Sequence, residues 1–442
     1  MPIQDIIAGK IQESITCPLP KITRRDVYVP GVRGKAVAVI GPRRGGKTTF
    51  LWQLLSARAA EGMAREGMMY FNFEDERLAG MKAGELRQVA EEYYRLYPHW
   101  RDGQRRAAWY LDEMQVVPGW EMFVRRIMDS ERVDIHLSGS SARLLSREVA
   151  TAMRGRAMEA LVLPFSFREY LRHRDREPNQ AVERLPKARR SALELELTAY
   201  LQEGGYPEAQ GLDIRTRREL LRGYVDTALF RDVVERHAVS NPLALRWMIR
   251  QLLGNAAGSF SVQKFHGDLR SQGLPAAKNT LHDYLAHLED AFLVVAVPIA
   301  TDSERRRMVN PRKAYPIDPG FIPVFDRSGK ANAGHALETV VLLELLRRGA
   351  EPAWVRTAEG HEVDFLARHA DGSTELIQVC LGAERPETET REIRSLQNAL
   401  KEHPGARATV VTLRPETFAT PPPGIAVISA VAWLLDPAPR DG

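Results

Sequence analysis

The residues Gly41-Pro42-Arg43-Arg44-Gly45-Gly46-Lys47-Thr48 carry the spacing G-x-x-x-x-G-K-[ST] between an apolar run, Ala36 to Ile40, and a helical pattern that opens at Thr49. The chemistry of that arrangement is phosphate binding. Glycines let the backbone curl so that its N–H groups, with the positive end of the following helix, enclose phosphate oxygens. Lys47 is expected to neutralise the β and γ oxygens and Thr48 to ligate Mg²⁺, so the cofactors implied are ATP and Mg²⁺.

Hydrolysis of a nucleoside triphosphate also needs an acid on the metal and a group that orients water. Ala107-Ala108-Trp109-Tyr110-Leu111-Asp112-Glu113 offers both: the apolar strand delivers Asp112 to its tip as a metal ligand, and Glu113 beside it polarises water. Glu74-Asp75-Glu76 ends the preceding strand and reads equally as a nucleotide-facing acid group or a solvated turn. Ser138-Gly139-Ser140-Ser141 ends the next one. Ser138 and Ser140 are candidates to sense the γ-phosphate or hold the water, with a helix cap as the plain alternative.

These groups need a parallel sheet to bring them together. Strands are expected at Ala36 to Ile40, Met69 to Phe73, Ala107 to Leu111, Asp134 to Ser138 and Ala160 to Leu163, alternating with helices. From Phe167 to Val239 the pattern is helical and broken at Gly204-Gly205-Tyr206-Pro207. From Pro242 two short helices precede a third, Lys278 to Ala291, with apolar residues at Leu281, Tyr284, Leu285, Leu288 and Phe292. A strand pair follows, Phe292 to Ile299 and Lys313 to Ile317, which completes a winged helix. The remainder reads as a second α/β domain: a helix, His335 to Arg348, strands near Trp354, Val363 to Ala367 and Glu375 to Val379, then a last strand and short helix after Pro421 to Pro423. The boundaries expected are 1–166 for the N-terminal segment and ATPase core, 167–240 for a small helical subdomain, 241–330 for the winged helix and 331–442 for the terminal domain.

The third helix opens with Lys278 and His282 but continues into Asp283, Glu289 and Asp290, which repel phosphates and argue against groove insertion. The hairpin is more basic. Arg305, Arg306, Arg307, Arg312 and Lys313 put five cations within nine residues, which suits contact with a DNA backbone.

At 442 residues the chain suits about three domains, and 44% hydrophobic with 27% charged residues excludes global disorder. The net charge of +5 permits nucleic-acid binding without requiring it. Two cysteines, Cys17 and Cys380, are too few for a disulfide framework or a paired zinc site, and the longest apolar run, Ala291 to Ala300, is too short to span a membrane. A cytoplasmic protein without a membrane partner is expected.

The phosphate loop, Tyr70-Phe71-Asn72-Phe73-Glu74-Asp75, Leu111-Asp112-Glu113-Met114-Gln115, Ser138-Gly139-Ser140-Ser141, Arg154-Gly155-Arg156, Leu163-Pro164-Phe165-Ser166-Phe167-Arg168-Glu169-Tyr170, Gly204-Gly205-Tyr206-Pro207-Glu208, Phe230-Arg231-Asp232-Val233-Val234 and Tyr315-Pro316-Ile317-Asp318-Pro319-Gly320 occur in this order. Together they resemble the prokaryotic AAA-type ATPases that end in the domain of unknown function 4143, over nearly the whole chain. The resemblance implies an α/β fold: a P-loop AAA-type core with a helical lid, a winged helix and a C-terminal domain like the PD-(D/E)-x-K restriction nucleases. It implies that Arg154 or Arg156 reaches a neighbouring subunit's nucleotide in a homo-oligomer, a hexameric ring or a spiral, and that Tyr206 and Pro207 close over adenine. In the nuclease-like domain Asp364 keeps the first acid and Glu338 offers a helical one. Gln378 and Cys380 stand where an acid and a lysine belong, and Glu375 lies on the opposite face, so nuclease activity is not expected. The function expected is an oligomeric ATPase that binds and remodels or translocates DNA, branched DNA included. The alternative is a nucleotide-gated signalling switch acting through a protein partner.

Overall fold

Five strands before residue 164 pair in parallel. They are β1 (Ala36–Ile40), β2 (Met68–Asn72), β3 (Ala107–Asp112), β4 (Val133–Ser138) and β5 (Ala157–Leu161), in the order β2-β3-β4-β1-β5. The structure, a computed structural model, describes residues 2–102, 105–139, 153, 155–274, 276–309, 311–326, 332–382, 386–418 and 422–436. It divides into two units, Met1–Leu163 and Pro164–Gly442. In the first, β1 and β3 are buried at every residue, because helices cover both faces of a parallel sheet and no polar alternation survives. β5 begins earlier than its apolar residues suggest. As an edge strand it leaves Met158 half-buried and Glu159 exposed, which hides the pattern.

The strand order does the positioning. β4 lies between β1 and β3, and register pairs Val39 with Ser138 and Asn72 with Asp112. The tips of β1, β3 and β4 therefore present the phosphate loop, Asp112 and Ser138 at one edge of the sheet, with β2 beside Asp112.

In the second unit, helices Phe167–His173, Lys187–Glu203 and Ile214–Thr227 precede Pro242–Gly254, Val262–Ser271 and Lys278–Asp290. Ser166 caps the first through a reciprocal box with Glu169. A three-stranded sheet follows, β6 (Ser259–Phe260), β8 (Arg312–Pro316) and β7 (Val294–Val297), antiparallel throughout. The segment between β7 and β8 holds a short helix, Glu304–Val309. The chain then forms helix Ala333–Arg347 and a mixed sheet of β9 (Glu351–Arg356), β10 (Glu362–Arg368), β11 (Thr374–Gly382), β12 (Arg407–Arg414) and β13 (Ile425–Ser429), in the order β13-β12-β11-β10-β9. Helix Pro386–Glu402 and β12 go beyond what the sequence pattern predicts. The first half of that helix is masked by charge, with Glu387, Glu389, Arg391, Glu392 and Arg394 before most of its apolar face begins.

One core joins what the sequence divides into lid, winged helix and terminal domain. Phe165, Tyr170, Leu197, Tyr315, Leu337 and Trp433 belong to the same buried cluster. The chain leaving β7 also pairs with β9: Ala300 N–H donates to Trp354 O at 2.7 Å, and Trp354 N–H donates to Pro298 O at 2.9 Å.

Candidate functional site

The turn after β1 needs glycine for steric reasons. Gly41 has φ 152°, and a Cβ there would meet the Val162 carbonyl oxygen at 2.0 Å. Gly46, at φ 100°, is the left-handed N-cap that starts helix Lys47–Ala60. Lys47 is 5% exposed, and its Nζ donates to the carbonyls of Pro42 at 2.9 Å and Gly41 at 3.2 Å. Arg43 is half-buried, while Arg44, Thr48 and Thr49 are exposed. Behind the loop, the buried Arg25 donates from Nη1 to Gly45 O at 3.0 Å and from Nη2 to Leu163 O, bracing the loop against the end of β5.

Asp112, fully buried, collects three hydroxyl donors. Thr48 Oγ1 donates to Oδ2 at 2.8 Å, Tyr70 OH donates to the same oxygen at 2.6 Å, and Ser138 Oγ donates to Oδ1. Ser138 Oγ in turn accepts the Glu113 N–H at 3.1 Å. Glu113 has φ 52°, a left-handed backbone that turns the chain off β3, and Gln115 Nε2 donates to its carboxylate. Burial raises the Glu113 carboxyl above the ordinary range, with Lys47 pulling the other way. Burial, with Asp112 alongside, raises the Tyr70 hydroxyl and keeps it a donor. A hydroxyl and a carboxylate in contact, beside a glycine cradle and a buried lysine, are the donor set that a magnesium nucleotide requires.

Lys47, Thr48, Asp112, Glu113 and Ser138 are thus brought together, by direct contact or through the strand tips. Ser140 and Arg154 lie outside the described residues. Arg156 forms a surface ion pair with Asp129. Asp75 is taken by Lys10 and by Arg77 at 2.8 Å, which supports the turn reading of Glu74-Asp75-Glu76. In the second unit Tyr206 is 2% exposed and its ring packs on Tyr224 and Phe321. Pro207 starts a short 3-10 turn beside it. Sequence reasoning missed Tyr70 and Arg25 as site residues. Tyr70 stands two residues before Asn72, the register partner of Asp112, a signal that strand pairing alone reveals.

The cations expected at DNA separate into two groups. Lys278, Arg305, Arg306 and Arg307 are exposed, the last three on helix Glu304–Val309. Arg312 reaches Glu289 at 3.5 Å. Lys313 corrects the expectation of a DNA contact: it is 6% exposed, and its Nζ lies 3.0 Å from Asp364 Oδ1 and 3.4 Å from Glu338 Oε1. Alternation along β8 turns Lys313 and Tyr315 to the same side, where Tyr315 OH donates to Glu338 at 2.5 Å. Burial works against the ammonium charge, but Asp364 and Glu338 outweigh it and hold Lys313 above the usual lysine range. Gln378 Nε2 donates to Asp364 Oδ2 at 3.0 Å, as does Val379 N–H. Burial pushes the Cys380 thiol up to about 11, so it stays protonated near neutral pH. Glu375 accepts from Thr409 Oγ1 at 2.6 Å and faces His369.

Among known proteins, residues 33–171 match the model of an AAA domain, 194–328 a domain of unknown function (DUF8612) and 333–432 a domain of unknown function (DUF4143). The uncharacterized protein MJ1544 of Methanocaldococcus jannaschii is 32% identical over 390 residues, spanning 86% of this chain and 82% of that one. An uncharacterized protein of Haemophilus influenzae is 28% identical over 401 residues, 90% and 93% of the two chains. Among solved structures, the Walker-type ATPase PABY2304 of Pyrococcus abyssi is 15% identical with a TM-score of 0.40, over 73% of this chain and 95% of that one. The Aeropyrum pernix ORC1 protein in complex with DNA is 14% identical with a TM-score of 0.27, over 73% and 90%.

Proposed function

Because the chain belongs to the family of ATPases that join an AAA domain to a DUF4143 domain, we propose that it hydrolyses ATP as a homo-oligomer and couples turnover to work on DNA. The observation that carries the hydrolytic part is the Asp112 carboxylate, held by Thr48, Tyr70 and Ser138 with Glu113 next along the chain. A Mg²⁺ ion held by Thr48 and Asp112 would supply neutralisation of phosphate charge. Lys47 exchanges its carbonyl partners on Gly41 and Pro42 for phosphate oxygens. Glu113 accepts the proton of the attacking water at its carboxylate, and its raised proton affinity suits a base that works near neutral pH. Arg154 or Arg156 completes the site of a neighbouring subunit in a ring or spiral.

The DNA part rests on Arg305, Arg306 and Arg307, exposed together on one short helix beside the three-helix and hairpin arrangement of a winged helix, with Lys278 as a further exposed cation. The terminal domain contributes binding rather than cleavage, since Gln378 and a protonated Cys380 replace the acid and lysine a nuclease of this type uses. No helix among the described residues is long and apolar enough to cross a membrane.

A second reading, a nucleotide-gated switch acting through a protein partner, draws on the withdrawal of Lys313 from the surface and the pairing of Arg312 with Glu289. It also draws on Leu243 and Trp247, exposed four residues apart on helix Pro242–Gly254. ATP turnover measured alone, with duplex, single-stranded and four-way-junction DNA, and with RNA, separates the two, together with the particle mass in ATP. Stimulation by DNA in an oligomer supports the first reading. Slow turnover indifferent to every nucleic acid in a monomer refutes it and favours the switch.

A further inference from the structure

A lysine, two carboxylates and an amide from four separate segments converge in the second unit. Lys313 comes from β8, Glu338 from helix Ala333–Arg347, Asp364 from β10 and Gln378 from β11. All are buried, and the ammonium lies 3.0 Å from one carboxylate and 3.4 Å from the other. Two carboxylates brought this close inside a protein repel each other and raise the proton affinity of one unless a cation offsets them; here burial and Asp364 raise the Glu338 carboxyl, and Lys313 and the Tyr315 hydroxyl pull it back down. Proteins commonly solve that problem with a metal ion bound through hard oxygen ligands. In this chain the cation is part of the polypeptide.

Gln378 is 8% exposed, and while its Nε2 is spent on Asp364, its Oε1 is buried without a hydrogen-bond partner. With the Glu338 and Asp364 carboxylates, the buried amide oxygen of this Asp364 partner makes an oxygen-only donor set of the kind that suits Mg²⁺ or Mn²⁺. Among the described residues no group of three or more His, Cys, Asp and Glu side chains could hold a metal ion. The set is therefore short of a full cage: the lysine meets its two carboxylates and leaves the amide oxygen without a partner.

We propose that Lys313 is a built-in substitute for a divalent cation: its ammonium fills the seat between Glu338 and Asp364, closes that seat to metal, and locks β8 to helix Ala333–Arg347 and β10. Removing the charge while keeping the length of the side chain, as in Lys313→Met, turns Glu338, Asp364 and Gln378 into a divalent-cation site. Lys313→Arg keeps the charge and leaves the seat closed. The cation also fixes where the hairpin stands on the terminal sheet, next to the backbone pairing of Ala300 and Pro298 with Trp354.

The test is Mn²⁺ binding to the full chain without nucleotide, followed by the electron paramagnetic resonance of free Mn²⁺. The proteins are wild type, Lys313→Met, Lys313→Arg, and the first two with Asp364→Asn added. Mn²⁺ affinity about tenfold or more tighter in Lys313→Met than in wild type, lost again with Asp364→Asn and absent in Lys313→Arg, is the expected result. Thermal unfolding gives a second readout: Mn²⁺ raises the midpoint of Lys313→Met and not that of wild type. Wild-type Mn²⁺ binding that disappears with Asp364→Asn overturns the proposal, whether or not Lys313→Met folds. A folded Lys313→Met protein with no gain in Mn²⁺ affinity overturns it as well.

Discussion

Asp318 Oδ2 accepts the Gly205 N–H at 2.6 Å, across 113 positions of chain. Its other oxygen accepts the Gly320 N–H at 2.9 Å, and a Cβ on Gly204 would stand 1.9 Å from that oxygen. Phe165 N–H donates to Gly205 O at 2.7 Å. Three of the chain's distinctive motifs, around Phe165, Gly204-Gly205 and Asp318, therefore meet at one buried carboxyl. Gly204 is required by the approach of the acid, and Gly205 by the Phe165 backbone, whose carbonyl oxygen a Cβ there would meet at 2.3 Å.

Burial raises the Asp318 carboxyl to about 7, despite the two N–H donors that favour its ionised form. In the unfolded chain the same acid releases its proton near pH 4. The stability linked to that proton is complete below about pH 4 and is lost as the pH rises through about 7, on the order of 4 kcal/mol across the window. Urea unfolding of the full chain at several pH values reads it. Asp318→Asn is expected to be less stable at low pH and to lack this slope, and an equal slope in both proteins would remove Asp318 as its source.

Lys47→Ala and Glu113→Gln are expected to fail differently. The first removes a ground-state phosphate interaction and weakens nucleotide binding. The second leaves binding intact and lowers turnover by about 10² to 10⁴. Because burial raises the Glu113 carboxyl, the acid limb of the turnover profile in wild type lies at higher pH than for a solvated glutamate, with activity lost as the pH falls. Equal loss of nucleotide affinity in both variants would take the base role from Glu113.

Tyr70→Phe removes one donor from the Asp112 oxygen that Thr48 also contacts, while the ring keeps its packing on Trp52, 4.5 Å between centroids. Turnover in Tyr70→Phe is expected to need about tenfold more Mg²⁺ for its half-maximum, with the thermal midpoint nearly unchanged. An unaltered Mg²⁺ requirement would reduce Tyr70 to a packing residue.

Replacing Arg305, Arg306 and Arg307 with Ala is expected to weaken DNA binding across all sequences alike. Every cation–phosphate pairing that the substitutions remove lowers the slope of log affinity against log salt by about 0.9. An unchanged slope would move the DNA-binding surface away from helix Glu304–Val309.

The phosphate loop and Asp112-Glu113 are legible from sequence because their chemistry fixes residue type and spacing within a single strand-to-helix turn. The third hydroxyl on Asp112 is not. Tyr70 reaches it only through the pairing of β2 with β3, and an aromatic inside an apolar run reads as core. Lys313 misleads for a related reason. In a hairpin with four arginines it reads as a surface cation, and its partners Glu338 and Asp364 lie 25 and 51 positions further on. The parallel core is readable from its uniform apolar strands, whereas helix Pro386–Glu402 hides its buried face behind an acidic and basic first half.

The common core of the second unit bears on how the chain reaches its native state. Trp433 and Leu435 join a cluster that already contains Phe165 and Tyr170, while Arg168 donates to the Leu435 carbonyl and Arg348 to that of Trp433 at 2.6 Å. A nascent chain cannot seal this core until residue 435 has left the ribosome. For about 270 residues of synthesis, the segment after Pro164 therefore presents unburied aromatic surface while the ATPase sheet has everything it needs to fold. The two halves are expected to mature on different clocks, and a translation pause or truncation before Trp433 exposes the second to aggregation without touching the first.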